Sequence, residues 1–503
     1  RPAAGRVSWQ SGRSVPPHLP CRRHKCRLVL CSGPLLTPAA APTHAEIPSD
    51  RLQRFDQFYQ NIKMKKFAVE LASPTSVDIA ITKKCNHKCV HCYNVWRTDD
   101  DSQELKKVLT DEQVEIITNE LVKNNVWRAT LTGGEPLAEL DVLYKLILSL
   151  KQHDIALGMN TNLSLMTEEI AQKLTEEFQW DNIVLTSLPG LTPDICDRIT
   201  QIPGSYEKIV RGIDICQKYN IPVGINIVIS KDNLYELERL YDFVNQHKVD
   251  YVSITRAIAP LYDQDNPSFF LDEQEIIYIA DVLETVHSRF GISVGSVTPF
   301  PLCILKDISK YKDIVSASCA AGISRCSIDA VSGDVTACTH EEQNYGNIYE
   351  DGLKKAWDNM YEWRQGLLVN EECRKCDMIA FCGGECRMIA GTEGHVKYHL
   401  NRNAKINYVP YAPIEPIYEN TEFRISKKVR YRREAFGGVL RCAENECYVS
   451  ETIILLYELI KEMDTIKVSD FADFCEVNEY LYDAIAELEK MKILQRIGKV
   501  NFN

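Results

Sequence analysis

The 503-residue sequence lacks any long apolar run, and no stretch approaches the roughly 18 consecutive apolar residues that a membrane-spanning helix requires. It also lacks an excess of Lys and Arg, since the formal net charge is -12, and such an excess is what phosphate binding requires. These absences predict a soluble protein that binds neither membrane nor nucleic acid. The composition, 45% hydrophobic and 25% charged, excludes a chain disordered throughout and is typical of two or three globular domains.

Acidic residues are missing from the first 45 positions, and no methionine precedes Met64. This segment is rich in Pro and Ala and shows no apolar periodicity, so residues 1–63 are predicted to be a disordered or non-native leader. An organellar transit peptide is the alternative, because such peptides are rich in Arg and poor in acid.

Cysteine, in contrast, is abundant. The 19 cysteines include tight clusters with metal-ligand spacing, in a chain much longer than a small disulfide-rich secreted domain. They predict reduced thiolates that hold metal in a reducing compartment, and therefore a cytoplasmic protein.

Six short β-branched runs between residues 76 and 296 alternate with helical patterns. The runs begin at Val77, Val126, Ile155, Ile183, Val223 and Tyr251. This alternation predicts a parallel sheet with crossover helices, either doubly wound or curled into a full or partial barrel. In each of these architectures the site lies at the C-terminal ends of the strands.

Three cysteines follow the first predicted strand with Cys-x3-Cys-x2-Cys spacing: Cys85, Cys89 and Cys92. So short a loop can supply three ligands to one iron–sulfur cluster and leave the fourth iron open to a non-protein ligand. A zinc site completed by His87 or His91 is the alternative, because zinc also accepts three Cys and one His.

The second predicted strand ends in Gly133-Gly134-Glu135-Pro136. The two glycines would let the backbone approach a ligand closely, and the carboxylate would accept hydrogen bonds from an ammonium group. Alone, this pattern is also compatible with an ordinary turn.

Together, the cysteine spacing, the following Tyr93 and the Gly-Gly-Glu-Pro element resemble the radical S-adenosylmethionine (SAM) superfamily. The resemblance implies a partial (βα)6 barrel of α/β class over residues 64–300, with a 4Fe-4S cluster held by the three cysteines and S-adenosyl-L-methionine on its open iron. An electron from a reductant such as ferredoxin or flavodoxin would then cleave SAM to methionine and a 5'-deoxyadenosyl radical. The residues implied to bind the cofactor are Tyr93, Gly133, Gly134, Glu135, Pro136, Asn160, Ser187, Arg198 and Asn226.

Three of these assignments meet departures or alternatives. Leu188-Pro189-Gly190 stands where the family usually reads Leu-Asp-Gly, which weakens the assignment of Ser187 and Arg198. Asn226, midway along a β-branched strand, is equally compatible with a hydrogen-bonded polar group in the core.

A second cysteine set follows the barrel. It reads Cys319-x13-Gly333-x4-Cys338 with Cys326 between, then Cys-x2-Cys-x5-Cys-x3-Cys from Cys373 to Cys386. A pair of zinc ribbons is the alternative. After a radical SAM motif, the pattern resembles the SPASM extension, here residues 301–405, which implies two auxiliary iron–sulfur clusters. By that resemblance the first is held by Cys319, Cys326, Cys338 and Cys386, and the second by Cys373, Cys376 and Cys382.

The family pattern ends with one more cysteine, which this sequence lacks between Arg387 and Arg441. The candidates for a fourth ligand of the second auxiliary cluster are His395, His399, Cys442 and Cys447. An open iron that binds substrate or water is a further alternative.

A Pro-rich linker at residues 406–422 precedes a small α+β domain, winged-helix-like, at 423–503. Its strands and helices resemble the peptide-recognition element of ribosomal-peptide maturases. The resemblance implies binding of a leader peptide as an added strand. A winged helix that closes the fold or contacts another subunit is the alternative.

The resulting prediction is an enzyme that abstracts hydrogen from a ribosomally made precursor peptide and forms a thioether, a C–C cross-link or a similar bond. An anaerobic sulfatase maturase that makes formylglycine is a second enzyme hypothesis. A non-catalytic iron–sulfur carrier or sensor is the alternative from another class, although a carrier has no need of a methionine-binding element.

Overall fold

A computed structural model describes residues 70–94, 103–305, 308–311, 319–376, 379–390, 417–442, 445–471 and 478–497. The predicted leader at residues 1–63 lies outside these ranges.

Alternating strands and helices build a nine-stranded sheet. Its strands are β1 (Ser76–Ala80), β2 (Arg128–Thr132), β3 (Ala156–Thr161), β4 (Val184–Ser187), β5 (Val223–Ile229), β6 (Tyr251–Arg256), β7 (Ser293–Gly295), β8 (Arg325–Asp329) and β9 (Val335–Thr336). The helices between them are α1 (Asp111–Lys123), α2 (Leu140–Gln152), α3 (Glu168–Gln172), α4 (Pro193–Thr200), α5 (Ser205–Lys218), α6 (Leu240–His247) and α7 (Glu273–Phe290).

The strand order is β7-β6-β5-β4-β3-β2-β1-β8-β9, and every neighbouring pair is parallel except β8 with β9. Six βα units in series form its main part, so the predicted α/β fold with a parallel sheet is confirmed. The sequence placed the second cysteine set outside the barrel. In the structure, however, β8 extends the barrel sheet and aligns Cys326 with Val77 of β1.

The two faces of the sheet differ in polarity. One face is apolar and buried, as at Ile79, Ile225 and Ile254. On the other, which we call the inner face, Ser187 and Asn226 are aligned across neighbouring strands. An apolar face packed under helices and a polar face turned away from them are what an open barrel with a ligand site requires.

The cysteine-rich region adds short helices to this body. They are α8 (Gly352–Asn359), α9 (Tyr361–Arg364), α10 (Glu371–Arg374), α11 (Ile379–Cys382) and α12 (Arg387–Ala390). Trp357 and Trp363 are fully buried against the core that the barrel strands form, so this region continues the barrel core.

Residues 417–497, which we call the tail, contain two small three-stranded sheets and two longer helices. The elements are β10 (Glu422–Ile425), β11 (Val429–Glu434), β12 (Gly437–Cys442), β13 (Asn445–Ser450), α13 (Glu451–Ile460), β14 (Thr465–Lys467), α14 (Asn478–Lys490) and β15 (Leu494–Arg496). The strand order is β14-β10-β15 in the first sheet and β11-β12-β13 in the second, which we call the tail sheet. Strands that lead into helices agree with the sequence pattern, and the winged-helix likeness stays a prediction.

The tail has its own apolar core but is attached to the barrel. Arg432 of β11 donates from Nη1 to the Ser73 hydroxyl (2.7 Å) and from Nη2 to the Ser73 carbonyl (2.7 Å). Thr75 Oγ1 donates to Glu446 of β13 (3.0 Å), just before β1 begins. Val439 of β12 packs into the barrel core. The tail sheet therefore lies at the N-terminal ends of the strands, and the predicted separate domain is docked there.

No helix within the described ranges is long and apolar enough to cross a membrane.

Candidate functional site

The three predicted radical-cluster cysteines lie on residues 81–94, the cysteine loop, which follows β1. The end of α4 holds this loop: the Lys88 N–H donates to the Thr200 carbonyl and the Val90 N–H to the Ile199 carbonyl, both at 2.9 Å. These bonds fix the thiols at the C-terminal end of the sheet, where the sequence predicted a site.

The Cys85 thiol lies in a poorly hydrated setting. Its Sγ accepts from the His87 N–H (3.4 Å) and lies 4.0 Å from Asn162 Nδ2. Although Cys85 is exposed as a residue, the surrounding protein desolvates its thiol and raises the pKa to about 12, with smaller contributions from the charges of Glu135 and Cys92. Such a thiol ionises only beside compensating positive charge, which the irons of a cluster supply. The setting of Cys85 therefore fits a ligand of an iron–sulfur cluster.

The zinc alternative depended on His87 or His91. His87 is buried, its pKa is lowered to about 4 first by burial, and Nε2 has no hydrogen-bond partner among the described residues. Within the described ranges, no three His, Cys, Asp or Glu side chains are placed to hold a single metal ion. In an iron–sulfur cluster each thiolate binds a different iron, so its ligands need not converge on one point.

The glycines of Gly-Gly-Glu-Pro make room for the cysteine loop. A Cβ on Gly133, whose φ is +136°, would lie 2.4 Å from the Thr82 carbonyl oxygen. A Cβ on Gly134 would lie 2.0 Å from the Lys84 carbonyl oxygen. The sequence attributed these glycines to close approach of a ligand, but in the structure the backbone of the cysteine loop makes that approach.

Glu135 is fully buried beneath the same element. Its carboxylate accepts from the Thr161 hydroxyl, from the Asn162 N–H (2.7 Å) and from the Leu137 N–H (2.9 Å). Burial raises its pKa, although these hydrogen bonds act in the opposite direction. Glu135 therefore connects the ends of β2 and β3, and its predicted binding of the methionine amino group stays a prediction.

The strand register gathers three predicted cofactor residues on the inner face. Asn160 is aligned with Leu185, two residues before Ser187, and Ser187 is aligned with Asn226. Asn160 is exposed, as expected for a side chain that faces an open lumen. Asn226 Oδ1 accepts from the Thr255 hydroxyl (2.7 Å), which fixes the orientation of its amide.

Arg198 does not lie on the sheet with these three residues. It lies on α4, is exposed, and donates from Nη2 to the Asp232 carbonyl (3.1 Å). Its link to the site is indirect, because the next two residues of α4 carry the carbonyls that hold the cysteine loop.

Tyr93 lies between the predicted radical-cluster cysteines and the first predicted auxiliary set. Its ring centroid is 4.6 Å from that of His340, whose Nδ1 is 3.9 Å from Cys338 Sγ. Burial raises the Tyr93 pKa, and negative charge on Cys92, Asp78 and Cys338 raises it further. The predicted radical site and the first auxiliary site are therefore neighbours.

Three members of the first predicted auxiliary set, Cys319, Cys338 and Cys386, are brought together beside two arginines. Burial raises the pKa of Cys338 to about 12, and the charges of Cys319 and Cys386 add to this rise. The Arg387 guanidinium hydrogen-bonds Cys319 and lies 4.6 Å above the Trp363 ring.

Cys326, the fourth predicted member, does not join them: it is fully buried in the apolar core on β8, on the same face of the sheet as Val77 and Ile79, and no other cysteine contributes to the rise of its pKa. The pKa of the adjacent Arg325 is raised first by Asp78 and then by Cys319, Cys338 and Cys326. Positive charge thus lies where thiolate ligands would concentrate negative charge.

The second predicted set, Cys373, Cys376 and Cys382, is half-buried. Of the four candidates for its fourth ligand, His395 and His399 lie outside the described residues. Cys442 and Cys447 belong to the apolar core of the tail. Cys442 Sγ donates to Ser426 Oγ (3.6 Å) and to the Lys492 carbonyl (3.7 Å), so it is engaged within the tail.

Sequence reasoning missed the residues that surround the thiols. Arg325, Arg387 and His340 are next to, or two positions from, predicted cysteine ligands. A search for cationic and aromatic residues beside each cysteine would have identified them, because a cluster with thiolate ligands carries negative charge.

Comparison with known proteins agrees with this arrangement. Residues 79–244 match the sequence profile of the Radical SAM superfamily. The AdoMet-dependent heme synthase of Methanosarcina barkeri is 25% identical over 337 residues, which are 63% of this chain and 91% of that protein. The mycofactocin maturase MftC of Mycolicibacterium smegmatis is 26% identical over 340 residues, 64% of this chain and 80% of that protein.

Solved structures share the fold. The structure of native anSMEcpe with bound AdoMet matches with a TM-score of 0.53 and 20% identity, over 65% of this chain and 94% of that one. SuiB of Streptococcus suis bound to precursor peptide SuiA matches with a TM-score of 0.52 and 16% identity, over 72% of this chain and 82% of that one.

The profile match, the relatives and the shared fold set aside the non-catalytic carrier. A radical SAM domain implies a 4Fe-4S cluster and S-adenosylmethionine as cofactors. Residues 79–244 form a radical SAM domain, and the chain that contains it is an enzyme.

Proposed function

We propose that this enzyme modifies a ribosomally made precursor peptide oxidatively, by forming a thioether, a C–C cross-link or a similar bond. The observation that carries the proposal is the fold match to SuiB in complex with its precursor peptide. That match covers 72% of the chain, far more than residues 79–244, so the likeness includes regions outside the radical SAM domain. The maturase relatives support the same substrate class.

Cys85, Cys89 and Cys92 would hold the radical cluster. When bound, the cluster and S-adenosylmethionine supply a 5'-deoxyadenosyl radical that abstracts hydrogen from the peptide, and the auxiliary clusters supply an acceptor for the electron released. The protein's part is positioning: the backbone of Gly133 and Gly134 fixes the cysteine loop.

The inner face would orient the adenosyl group. Ser187 and the fixed amide of Asn226 present hydrogen-bonding groups on adjacent strands, and Asn160 does so from β3. An open lumen with few but well-placed polar groups is what a cofactor site requires.

Cys319, Cys338 and Cys386 would hold the first auxiliary cluster, with Arg325 and Arg387 offsetting thiolate charge, whereas Cys326 lies on the apolar face of the sheet. Tyr93 and His340 would separate it from the radical site and keep water out of the space between the two.

The tail would bind the leader of the peptide. Its three-stranded sheet followed by a helix is the kind of surface to which an extended peptide adds as a strand. Because the tail sheet lies at the N-terminal end of the barrel, a bound leader would have to reach around the barrel to the cysteine loop. This placement favours precursors whose modified residues lie well beyond the leader.

The test combines cofactor cleavage with peptide turnover. Enzyme reconstituted anaerobically and reduced with dithionite is expected to form 5'-deoxyadenosine and to remove two hydrogen atoms from a peptide encoded beside its gene, as measured by mass spectrometry. The variant with Cys85, Cys89 and Cys92 changed to Ala should do neither and should keep its auxiliary iron. Deoxyadenosine formation by that variant would refute the assignment of the radical site.

Tetrapyrrole modification is the second candidate. Four relatives favour it by name, including an AdoMet-dependent heme synthase and an Fe-coproporphyrin III synthase matched over 91% and 82% of their lengths. The same assay with iron coproporphyrin III in place of peptide separates the two candidates. Turnover of the porphyrin, with every peptide left unchanged, would reject peptide modification.

A further inference from the structure

One cysteine that belongs to none of the three predicted cluster-binding sets lies beside the second auxiliary set. Cys303 occupies a short helical turn, Leu302–Ile304, in the segment after β7. We propose that Cys303 is the fourth protein ligand of the second auxiliary iron–sulfur cluster. This inference rests on the proposed function and on the assignment of Cys373, Cys376 and Cys382 to that cluster, which the sequence resemblance implies.

Contacts of Cys382 place it against the Cys303 turn. Cys382 Sγ lies 3.9 Å from the Phe300 carbonyl oxygen and accepts from the Leu302 N–H. Cys303 is the next residue after Leu302. The segment 300–303 thus forms a wall beside Cys382.

The backbone after Cys382 is shaped to receive a thiolate. Gly383, Gly384 and Glu385 are three consecutive residues with left-handed φ values of +68°, +78° and +70°. The N–H groups of Gly384 and Glu385 hydrogen-bond the Cys382 sulfur, which therefore accepts three backbone donors together with Leu302. Several N–H groups directed at one sulfur are typical of iron–sulfur ligands.

A buried ion pair holds this wall in place and engages the carboxylate of Glu385, which could otherwise compete with Cys303 as a ligand. Arg256, at the end of β6, pairs with Glu385 (2.6 Å), and its Nη2 donates to the Pro299 carbonyl (2.6 Å). The arginine thereby joins the loop after Cys382 to the segment that carries Cys303. Because the Glu385 carboxylate is bound to Arg256, Cys303 is the better donor for a soft iron site.

Cys303 shares the setting of the second auxiliary set: it is half-buried, and it packs against the same apolar core as Cys376 and Cys382.

The test uses the chain with Cys85, Cys89 and Cys92 changed to Ala, so that only auxiliary clusters contribute iron. We expect this protein to hold about eight irons after anaerobic reconstitution. Adding Cys303→Ala should lower this to about four, or to about seven with the EPR signal of an oxidised 3Fe-4S cluster. Cys303→Ser should retain iron and shift the EPR spectrum of the reduced protein, because oxygen replaces sulfur as ligand.

Controls separate this inference from the proposed function. Cys442→Ala, His395→Ala and His399→Ala should leave both iron and spectrum unchanged, whereas Cys376→Ala should reproduce the loss. Iron and spectra unaffected by Cys303→Ala but altered by Cys376→Ala would overturn the Cys303 assignment alone. If neither variant changes them, the second auxiliary cluster itself is refuted. A loss in His395→Ala or His399→Ala with Cys303→Ala unchanged would assign the ligand to that histidine.

Discussion

The two ends of the barrel sheet are held together by different kinds of contact. At the C-terminal end the cysteine loop is attached through backbone atoms, since the Gly134 and Glu135 N–H groups donate to carbonyls of Thr82 and Lys84, both at 2.7 Å. At the N-terminal end a charged side chain, Arg432, attaches the tail. The comparison shows that the cysteine loop is attached by backbone hydrogen bonds, whereas the tail is attached by side chains, among them the buried guanidinium of Arg432.

The largest effect is expected at the N-terminal end, from Arg432→Ala. Arg432 is buried and pairs with Glu434, whose side chain is 1% exposed, so its removal leaves that carboxylate without its charged partner, with the Ala72 N–H (2.8 Å) still donating to it, and leaves the Ser73 carbonyl without the Arg432 donor. We expect the free energy of unfolding to fall by about 4 kcal/mol. Urea denaturation followed by circular dichroism measures this change.

Arg430→Ala is the matched control on the same strand. Its partner Asp154 is 97% exposed, so the loss should be at most about 1 kcal/mol. Equal losses in the two variants would show that the tail is attached by its apolar contacts and not by Arg432.

The next effect concerns the C-terminal end, where Gly134→Ala should displace the cysteine loop. The added methyl group would lie 2.0 Å from the Lys84 carbonyl oxygen, and that backbone cannot yield without moving Cys85. We expect 5'-deoxyadenosine formation to fall about 100-fold, because a displacement of about 1 Å at a reacting group costs this much. Chromatography of the nucleoside under dithionite measures it.

Gly291→Ala is the control for the cost of an added methyl group. Gly291 ends α7 with φ +66° and has nothing within 4 Å of its Cβ position, so only backbone strain of about 1 kcal/mol is expected. If Gly134→Ala retains parental deoxyadenosine formation, the loop is not positioned by this contact.

Features that depend on local pattern were predictable from the sequence. The strand runs alternate with helical periodicity, and the spacing from Cys85 to Cys92 identifies one loop and its chemistry without any distant contact. The sequence predicted a site at the strand ends, and the register aligns Ser187 with Asn226. Each of these depends on periodicity or on residues close together in the chain.

Features that depend on contacts between distant segments were not predictable. Arg432 contacts Ser73 across more than 350 residues, and no property of either residue type signals this pair. The turn that carries Cys303 is brought to Cys382 by contacts of Phe300 and by Arg256, which joins Pro299 to Glu385. The sequence suggested Cys442 as a ligand because it is a cysteine near the gap, whereas the fold buries it in the tail core.

The smallest effect is expected from Asp197→Asn, which tests how firmly the end of α4 holds the cysteine loop. Burial alone would raise the Asp197 pKa, but hydrogen bonds from the Gly204, Tyr206 and Ser205 N–H groups and the Ser205 hydroxyl outweigh it and lower that pKa. We expect the variant to lose about 1 to 2 kcal/mol at pH 7, because an amide accepts at one atom only.

Because the folded pKa of Asp197 is depressed, its stabilisation is complete above the unfolded value of about 3.9 and is lost as pH falls through the folded value. The difference in free energy of unfolding between parent and Asp197→Asn should therefore shrink from pH 7 toward pH 3 when urea titrations are compared. The Thr200 carbonyl that holds Lys88 lies on the turn that Asp197 closes, so deoxyadenosine formation at pH 7 should decline slightly as well. A stability difference that stays constant over this pH range would mean that the charge of Asp197 does not contribute, and that the turn is held by its neutral hydrogen bonds.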